Sequence, residues 1–86
     1  MLYEAEPVAT IDELLEDFVC AIVSVPDEVQ IDKVETDTTT IYTIDVLPED
    51  RGKIIGKGGS IINSMKTLFR ALGCKHGHRV HLEIRE

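Results

Sequence analysis

Hydrophobic residues recur in the first part of the chain at the spacing of one helical face. The apolar stripe consists of Ile11, Leu14, Leu15, Phe18, Val19, Ile22 and Val23. Acidic residues lie between these positions, which is typical of an amphipathic helix of about four turns. Thr10 and Glu13 have the spacing of a capping box that begins the helix, and Pro26 is expected to end it. We expect the stripe to face the core, with a partner-binding helix as the rarer alternative. Residues 1–9 lack a periodic pattern and are expected to form an N-terminal arm.

Two short runs rich in β-branched residues follow this helix. Val29, Ile31 and Val34 indicate a first strand, and residues 40–47 indicate a second. The polar residues 36–39 between them are typical of a turn. The two runs therefore predict an antiparallel hairpin.

The second half of the chain predicts two helices and a final strand. Residues 48–50 (Pro-Glu-Asp) are typical of a helix start, so a short helix is expected at 49–55, ending at Gly56. A second helix is expected after the glycines, with Gly73 closing it. Its buried face is predicted to contain Ile61, Ile62, Met65, Leu68, Phe69 and Leu72. In residues 79–85 apolar and polar side chains alternate, as in a strand with one face on the core.

The predicted element order is α-β-β-α-α-β. The two helices between the second and third strands form a connection long enough to make these strands parallel. The sequence thus predicts an α+β fold, in which three helices cover a three-stranded mixed sheet. With 86 residues in total, residues 10–86 are expected to form a single domain.

A glycine-rich loop lies between the two predicted helices, in the sequence Lys53-Ile54-Ile55-Gly56-Lys57-Gly58-Gly59-Ser60-Ile61-Ile62. The isoleucines on both sides are expected to anchor the loop in the core. Glycine allows a tight turn whose backbone approaches a ligand closely. Amides at the start of a helix carry the positive end of its dipole, and Lys57 adds a mobile charge. The loop is therefore predicted to bind an anion such as a phosphate.

The spacing of the glycines excludes two common phosphate-binding motifs. A P-loop needs four residues between its first glycine and Gly-Lys, whereas only three separate Gly52 from Gly56. The dinucleotide fingerprint would need a third glycine at Ile61. The pattern I-I-G-x-x-G-x-x-I, which spans residues 54–62, instead resembles the KH domain. The GxxG loop of that family clamps about four nucleotides of single-stranded nucleic acid.

The element order resembles the type II KH fold over residues 10–86. Residues 48–50, the run 52–56 (Gly-Lys-Ile-Ile-Gly) and the basic stretch before the last strand are similar to the small bacterial RNA-binding proteins of the KhpA type. The resemblance implies that single-stranded RNA is bound by the loop and an adjacent hydrophobic groove. Main-chain groups of residues 80–84 would read base edges. The implied RNA-binding residues are Arg51, Lys53, Ile54, Ile55, Gly56, Lys57, Gly58, Gly59, Ser60, Ile62, Lys66 and Arg70.

The charge distribution agrees with a nucleic-acid ligand although the net charge is −7. Residues 1–50 contain one base, Lys33, and fourteen acids, whereas residues 51–86 contain eight bases and two acids. Phosphates respond to local charge, and the glycine loop lies in the basic half. Aromatic residues are scarce, so modest affinity and loose base preference are expected. Single-stranded DNA remains an alternative ligand.

The other sequence features point to a cytoplasmic protein that needs no cofactor. No apolar run is long enough to span a membrane, and Cys20 and Cys74 are expected to be reduced thiols. Residues 74–81 contain Cys-x-His-x-His-x-x-His, but loop histidines are a better interpretation than a zinc site, because the usual four-ligand pattern is absent. No catalytic constellation can be assembled, so the chain is not expected to be an enzyme.

Two functions are compatible with the sequence. The first is RNA binding, as a small RNA chaperone or post-transcriptional regulator. The second is a protein–protein interaction module that uses the KH fold as a scaffold. The resemblance implies a homodimer, or a heterodimer with a larger KH-containing protein, and pairing would raise RNA affinity through effective concentration.

Overall fold

A computed structural model describes the backbone of residues 7–86 and the side chains of residues 11–86. Its elements are helix α1 (Pro7–Ile22), strands β1 (Gln30–Glu35) and β2 (Thr39–Asp45), helices α2 (Pro48–Ile55) and α3 (Ser60–Lys75), and strand β3 (Arg79–Ile84). The predicted order α-β-β-α-α-β and the α+β architecture are confirmed. No helix in this described part of the chain is long and apolar enough to span a membrane.

The sheet is mixed, with β2 at its centre. β1 pairs with β2 in antiparallel register, which places Lys33 opposite Tyr42, and β3 pairs with β2 in parallel, which places Leu82 opposite Tyr42. Tyr42 and Leu82 therefore point to the same face of the sheet. The other side of β3 is a sheet edge, so it faces no further strand among residues 7–86.

The core lies between one face of the sheet and the helices. It contains Ile11, Leu15, Val19, Val23, Tyr42, Ile44, Val46, Ile54, Ile62, Met65, Phe69, Val80 and Leu82. The buried residues alternate along β2 and β3, and in α3 they recur every three or four residues. The strands therefore bury every second residue and α3 buries every third or fourth residue, which are the spacings predicted from the sequence.

α1 differs from its prediction at both ends. It begins at Pro7 and not at Thr10, since proline is compatible with the first turn of a helix, where the N–H has no intrahelical partner. It ends at Ile22, four residues before Pro26, and Pro26 instead begins a short 3-10 turn. The predicted arm therefore lies partly in α1, and residues 1–6 are outside the described part.

α3 also differs from its prediction. It continues past Gly73 to Lys75, so Gly73 does not close it. A Cβ at Gly73 would lie 2.5 Å from the carbonyl oxygen of His78 and 2.7 Å from Val80 Cγ2. The absence of a side chain therefore lets the end of α3 pack directly on the start of β3. Gly73 serves close packing and not helix termination.

A polar cluster holds α1 against the sheet. The hydroxyl of Tyr42 donates a hydrogen bond to Asp12, whose other carboxylate oxygen lies 2.9 Å from Lys33 Nζ. Burial, followed by the bond to Asp12, raises the pKa of Tyr42, so the hydroxyl keeps its proton. Because these residues come from α1, β1 and β2, the cluster fixes the first helix relative to the hairpin.

Candidate nucleic-acid interface

The glycine loop forms a tight turn between α2 and α3. Gly56 is the C-cap residue of α2, directly after Ile55, and its N–H donates to the carbonyl of Gly52 at 2.9 Å. Lys57–Gly59 then form one 3-10 turn, in which Gly58 (φ 64°) and Gly59 (φ 79°) have left-handed backbone conformations. α3 begins at the next residue, Ser60, whose side chain is exposed. The loop thus leads directly into the N-terminus of α3, which lies at the protein surface.

Gly56 has the most demanding backbone conformation of the loop. Its φ of 77° and ψ of 171° belong to a region that is almost exclusive to glycine. A Cβ at this position would lie 2.6 Å from Ile61 Cγ1 and 2.9 Å from the backbone nitrogen of Ile61. A Cβ at Gly58, in contrast, would meet no atom within 4 Å. Gly56 therefore shapes the turn, whereas Gly58 lies at its open tip.

The loop leaves backbone donors available at its tip. The N–H of Gly59 donates to the carbonyl of Gly56 at 3.1 Å, and that of Ser60 donates to Lys57. The amides of Lys57 and Gly58 donate to no acceptor among the described residues. Two unpaired amides beside the N-terminus of a 16-residue helix form an anion-binding geometry.

Two of the four isoleucines beside the loop anchor it, and two are exposed. Ile54 and Ile62 are buried, with exposures of 0% and 8%, whereas Ile55 (37%) and Ile61 (36%) are exposed. One buried isoleucine on each side therefore anchors the loop in the core, as expected. Ile54 is too deeply buried to contact a ligand directly, and Ile62 offers very little surface to one. Of the predicted binding isoleucines, Ile55 alone offers substantial surface.

The basic residues near the loop fall into two groups. Lys57, Lys66 and Arg70 are exposed and form no ion pair with any described side chain. Lys53 Nζ, in contrast, lies 3.4 Å from an oxygen of Asp50 and contacts the Ser24 hydroxyl. Arg51 is half-buried, and its Nε is buried without a hydrogen-bond partner in the described structure. The charges available to a ligand therefore lie on the loop and α3, more than on α2.

Asp50 fixes α2 to the segment that follows α1. Its carboxylate is 1% exposed and accepts hydrogen bonds from the amides of Ser24 (3.2 Å) and Val25 (3.3 Å). Burial acts to raise the pKa of Asp50, but these amides and Lys53 outweigh it and hold the pKa below its ordinary value. The carboxylate is therefore charged at neutral pH and holds in place the helix that leads into the loop.

α3 has two different exposed flanks. On one flank, Arg70 and Cys74 line a cavity together with Arg79, Val80 and His81 of β3. Lys66 lies four residues before Arg70 and so shares this flank, one turn nearer the loop. The side chains of Arg79 and His81 were not among the predicted binding residues, because only the packing of β3 beside α3 brings them next to Arg70.

The other flank of α3 is apolar and faces α1. An open cavity of about 420 Å³ lies between the two helices. It is lined by Phe18, Ile22, Ser60, Ile61, Ser64, Met65 and Leu68. Three side chains that were predicted to be buried are exposed: Phe18 (39%), Ile61 (36%) and Leu68 (42%). A helical stripe identifies an apolar face but does not show which elements pack against it, and none of the elements in residues 11–86 covers the edge of this face.

The histidines and Cys74 do not gather into a metal site in the described part of the chain. His78 Nε2 lies 2.6 Å from the hydroxyl of Thr40, whereas Cys74 and His81 line the cavity beside Arg70. No group of three or more histidine, cysteine or acidic side chains among the described residues has the geometry of a metal site. Cys20 and Cys74 are both free thiols.

Comparisons with known proteins identify the family. Residues 12–84 match the family model described as the KH domain of KhpA/KhpB. The chain is 40% identical to the RNA-binding protein KhpA of Listeria monocytogenes over 75 residues, which cover 87% of this chain and 99% of that protein. It is also 40% identical to the KhpA of Clostridium acetobutylicum over 72 residues, covering 84% and 96% of the two chains. No solved structure matches the chain with statistical significance.

Proposed function

This chain belongs to the KhpA/KhpB family of KH domains, and on that premise we propose that it binds single-stranded RNA at the Lys57–Gly59 turn. The observation that supports this proposal is the geometry of the turn. Two unpaired amides, the N-terminus of α3 and the unpaired charge of Lys57 lie together there. The relatives are named RNA-binding proteins, so a backbone phosphate of RNA is the anion that fits best. The family is one of RNA-binding domains, and we propose no catalytic role.

In the proposed complex the loop positions the RNA and the adjoining surfaces contact the bases. The amides of Lys57 and Gly58 bind a phosphate, and Lys57 adds a screened ion pair. Ile55 supplies apolar surface beside the turn, while Ile54 and Ile62 support it from the core. Ser60 lies at the start of α3, and its exposed hydroxyl is a further donor beside the loop.

Base recognition in this complex is expected to be weak. Tyr42 and Phe69 are buried, and Phe18, the one exposed aromatic ring among residues 11–86, lies on the apolar flank and not at the loop. Stacking on aromatic rings, a main source of single-strand affinity, is therefore scarce at the site. Loose specificity suits a cytoplasmic RNA chaperone or a post-transcriptional regulator. Single-stranded DNA fits the same contacts, because none of them requires a 2′-hydroxyl.

Titration of the protein with a short single-stranded RNA, followed by amide NMR shifts at two salt concentrations, tests the proposal. Shifts are expected at residues 56–60 and along β3. The affinity should fall with salt, with a log–log slope of roughly −2 if the protein neutralises about three phosphates. The affinity for a DNA oligonucleotide of the same sequence shows whether the 2′-hydroxyl groups of RNA contribute to binding. An absence of shifts at 56–60 at near-physiological salt would overturn the proposal.

A second candidate function is pairing of two protein chains, and the apolar flank is the observation that favours it. Phe18, Ile61 and Leu68 are large side chains that a monomer exposes to water on one continuous surface. We propose that a second copy of the chain covers this surface, since a two-fold axis brings the same apolar patch of both copies face to face. A larger KH-containing protein with a similar flank could take the place of the second copy. Pairing would join two RNA sites and raise the affinity for longer RNA.

The substitution Leu68→Asp is expected to weaken self-association at least ~10-fold, because it places a charge in the apolar surface. Sedimentation equilibrium of the wild type and the variant measures this effect. Val34→Asp is a matched control, since Val34 is 63% exposed and lies on β1, away from the α1–α3 cavity. A wild-type protein that is monomeric at high concentration, or an equal effect of both variants, would contradict pairing through this flank.

A further inference from the structure

We propose that the outer edge of β1 binds an extended basic segment of a partner protein, which adds a strand to the sheet beside a groove between β1 and α1. The groove, which we call the β1-edge groove, is lined by Asp12, Glu16, Ile31, Lys33 and Tyr42. β1 and β3 lie at opposite edges of the sheet, so this surface is separate from the proposed RNA site. The inference therefore does not depend on RNA binding.

The hydrogen bonds of the hairpin show which peptide groups of β1 are free. The N–H of Thr36 donates to the carbonyl of Thr39 at 2.8 Å, one step beyond the register pair of Glu35 with Thr40. Hydrogen-bonded and non-hydrogen-bonded pairs alternate in an antiparallel ladder, so the peptide groups of residues 31, 33 and 35 face away from β2. No strand among residues 7–86 pairs with this edge. Its three N–H and three C=O groups therefore form a template for an added strand.

The side chains beside this edge favour basic residues in the added strand. Lys33 lies opposite the buried Tyr42, so the odd-numbered side chains of β1 point towards α1. Asp12 and Glu16, one turn apart on α1, reach the same groove. Lys33 is already ion-paired with Asp12 at 2.9 Å and with Glu35 at 3.5 Å. Three carboxylates against one ammonium leave the groove negative, and a lysine or arginine of a partner is the complementary side chain.

The charge around the groove excludes the other occupants of a free strand edge. Burial raises the pKa of the Cys20 thiol, and the carboxylates of Glu16, Asp17 and Asp27 raise it further, because all three lie close to the sulfur. The groove thus continues into a wider acidic surface, which repels the phosphates of a nucleic acid. A second copy of the chain would bring the same acidic edge against itself, and like charges placed opposite each other are destabilising.

The two faces of the edge select an alternating sequence in the partner. Side chains of an added strand point alternately to the two faces of the sheet, so every second one meets the carboxylates of the groove. The groove has a volume of about 190 Å³, below the ~300 Å³ at which pockets for drug-sized ligands begin, so it suits a single side chain whose stem packs on Ile31. On the other face, Val34 is 63% exposed and can contact an apolar residue. The best partner segment therefore alternates basic and apolar residues.

The test uses a synthetic heptapeptide in which lysine and valine alternate, beginning and ending with lysine. Hydrogen exchange of the full chain is followed by NMR with and without saturating peptide. The amides of residues 31, 33 and 35 are expected to exchange at least ~10-fold more slowly in the complex, because each gains a hydrogen-bond acceptor. The amides of Lys57 and Gly58 should not change. The same peptide with glutamate in place of lysine should not bind.

Four variants separate the strand edge from the charge. Glu16→Gln is expected to weaken peptide binding about threefold, since it removes one carboxylate from the groove. Glu35→Pro should weaken it ~10-fold or more, because proline removes an outward N–H but no bond of the ladder to β2. Glu35→Gln removes the same charge and is its matched control, with an expected loss of about threefold. Glu83→Gln removes an acid from β3, roughly 10 Å away across the sheet, where salt screens the interaction.

Slowed exchange confined to residues 31, 33 and 35, with the expected order of affinities, would support the inference. Unchanged exchange at these amides, or equal affinity of Glu35→Pro and Glu35→Gln, would overturn the added strand. Equal affinity of Glu16→Gln and Glu83→Gln would overturn the groove. Slow exchange without peptide that increases with protein concentration would assign the edge to a second copy and overturn the basic partner. If Glu35→Pro loses its fold by circular dichroism, the exchange pattern of the wild type decides. The RNA titration described above is independent of all these results.

Discussion

The double substitution Lys57→Asp, Gly58→Asp is expected to lower the affinity for single-stranded RNA by ~100-fold or more, with no loss of fold. It replaces the mobile cation by an anion and places a second carboxylate beside the two unpaired amides. Like charges brought together in a binding site cost several kcal/mol. Gly58 has a φ of 64°, which aspartate tolerates better than most residues, and a Cβ there would meet no neighbour within 4 Å. Fluorescence anisotropy measures the affinity, and circular dichroism checks the fold.

The matched control for this variant is Lys57→Ala, Gly58→Ala. It imposes a similar backbone constraint at Gly58 and removes the same cation, but it adds no negative charge. Because the amides of the turn remain available, this control should retain measurable RNA binding, weaker by several-fold at low salt. RNA affinity that is unchanged in the aspartate variant would refute binding at the loop. If that variant also keeps its self-association, the scaffold function would then be favoured.

The substitution Gly56→Ala is expected to destabilise the fold by about 3 kcal/mol. Two effects contribute to this loss. A Cβ would lie 2.6 Å from Ile61 Cγ1, and alanine would have to adopt a φ of 77° and a ψ of 171°, a combination that is almost exclusive to glycine. Chemical denaturation of both proteins gives the difference in free energy of unfolding. In a domain of this size, such a loss removes a large part of the total stability.

Gly52→Ala provides a matched comparison four residues earlier. Gly52 lies within α2, and a Cβ there would meet no atom within 4 Å. Alanine is the better helix former, so this variant is expected to stabilise the protein by roughly 0.5–1 kcal/mol. If Gly56→Ala were as stable as Gly52→Ala, the turn could not have the backbone geometry described above. The loop would then have to be shaped by something other than Gly56.

The contrast between these glycines shows what spacing alone can and cannot predict. The GxxG pattern predicts a turn at a helix N-terminus, and that turn is present at Lys57–Gly59. The pattern does not distinguish the glycine that shapes the turn from the glycine at its tip, because the difference depends on the distance to Ile61. Gly73 illustrates the same point, since its role depends on the approach of His78 and Val80. Such approaches depend on how elements pack together and not on local propensity.

The sequence by itself determined the order and type of the elements, the parallel pairing of β2 with β3 and the place of the glycine turn. It could do so because hydrophobic periodicity, proline and glycine act locally, and because a long crossover favours parallel strands. Tertiary structure decided which residues are available to ligands. It pairs Lys53 with Asp50, leaves Phe18 and Leu68 exposed, and brings Arg79 beside Arg70. Exposure and charge pairing arise between elements that are distant in the chain, so periodicity within one element cannot predict them.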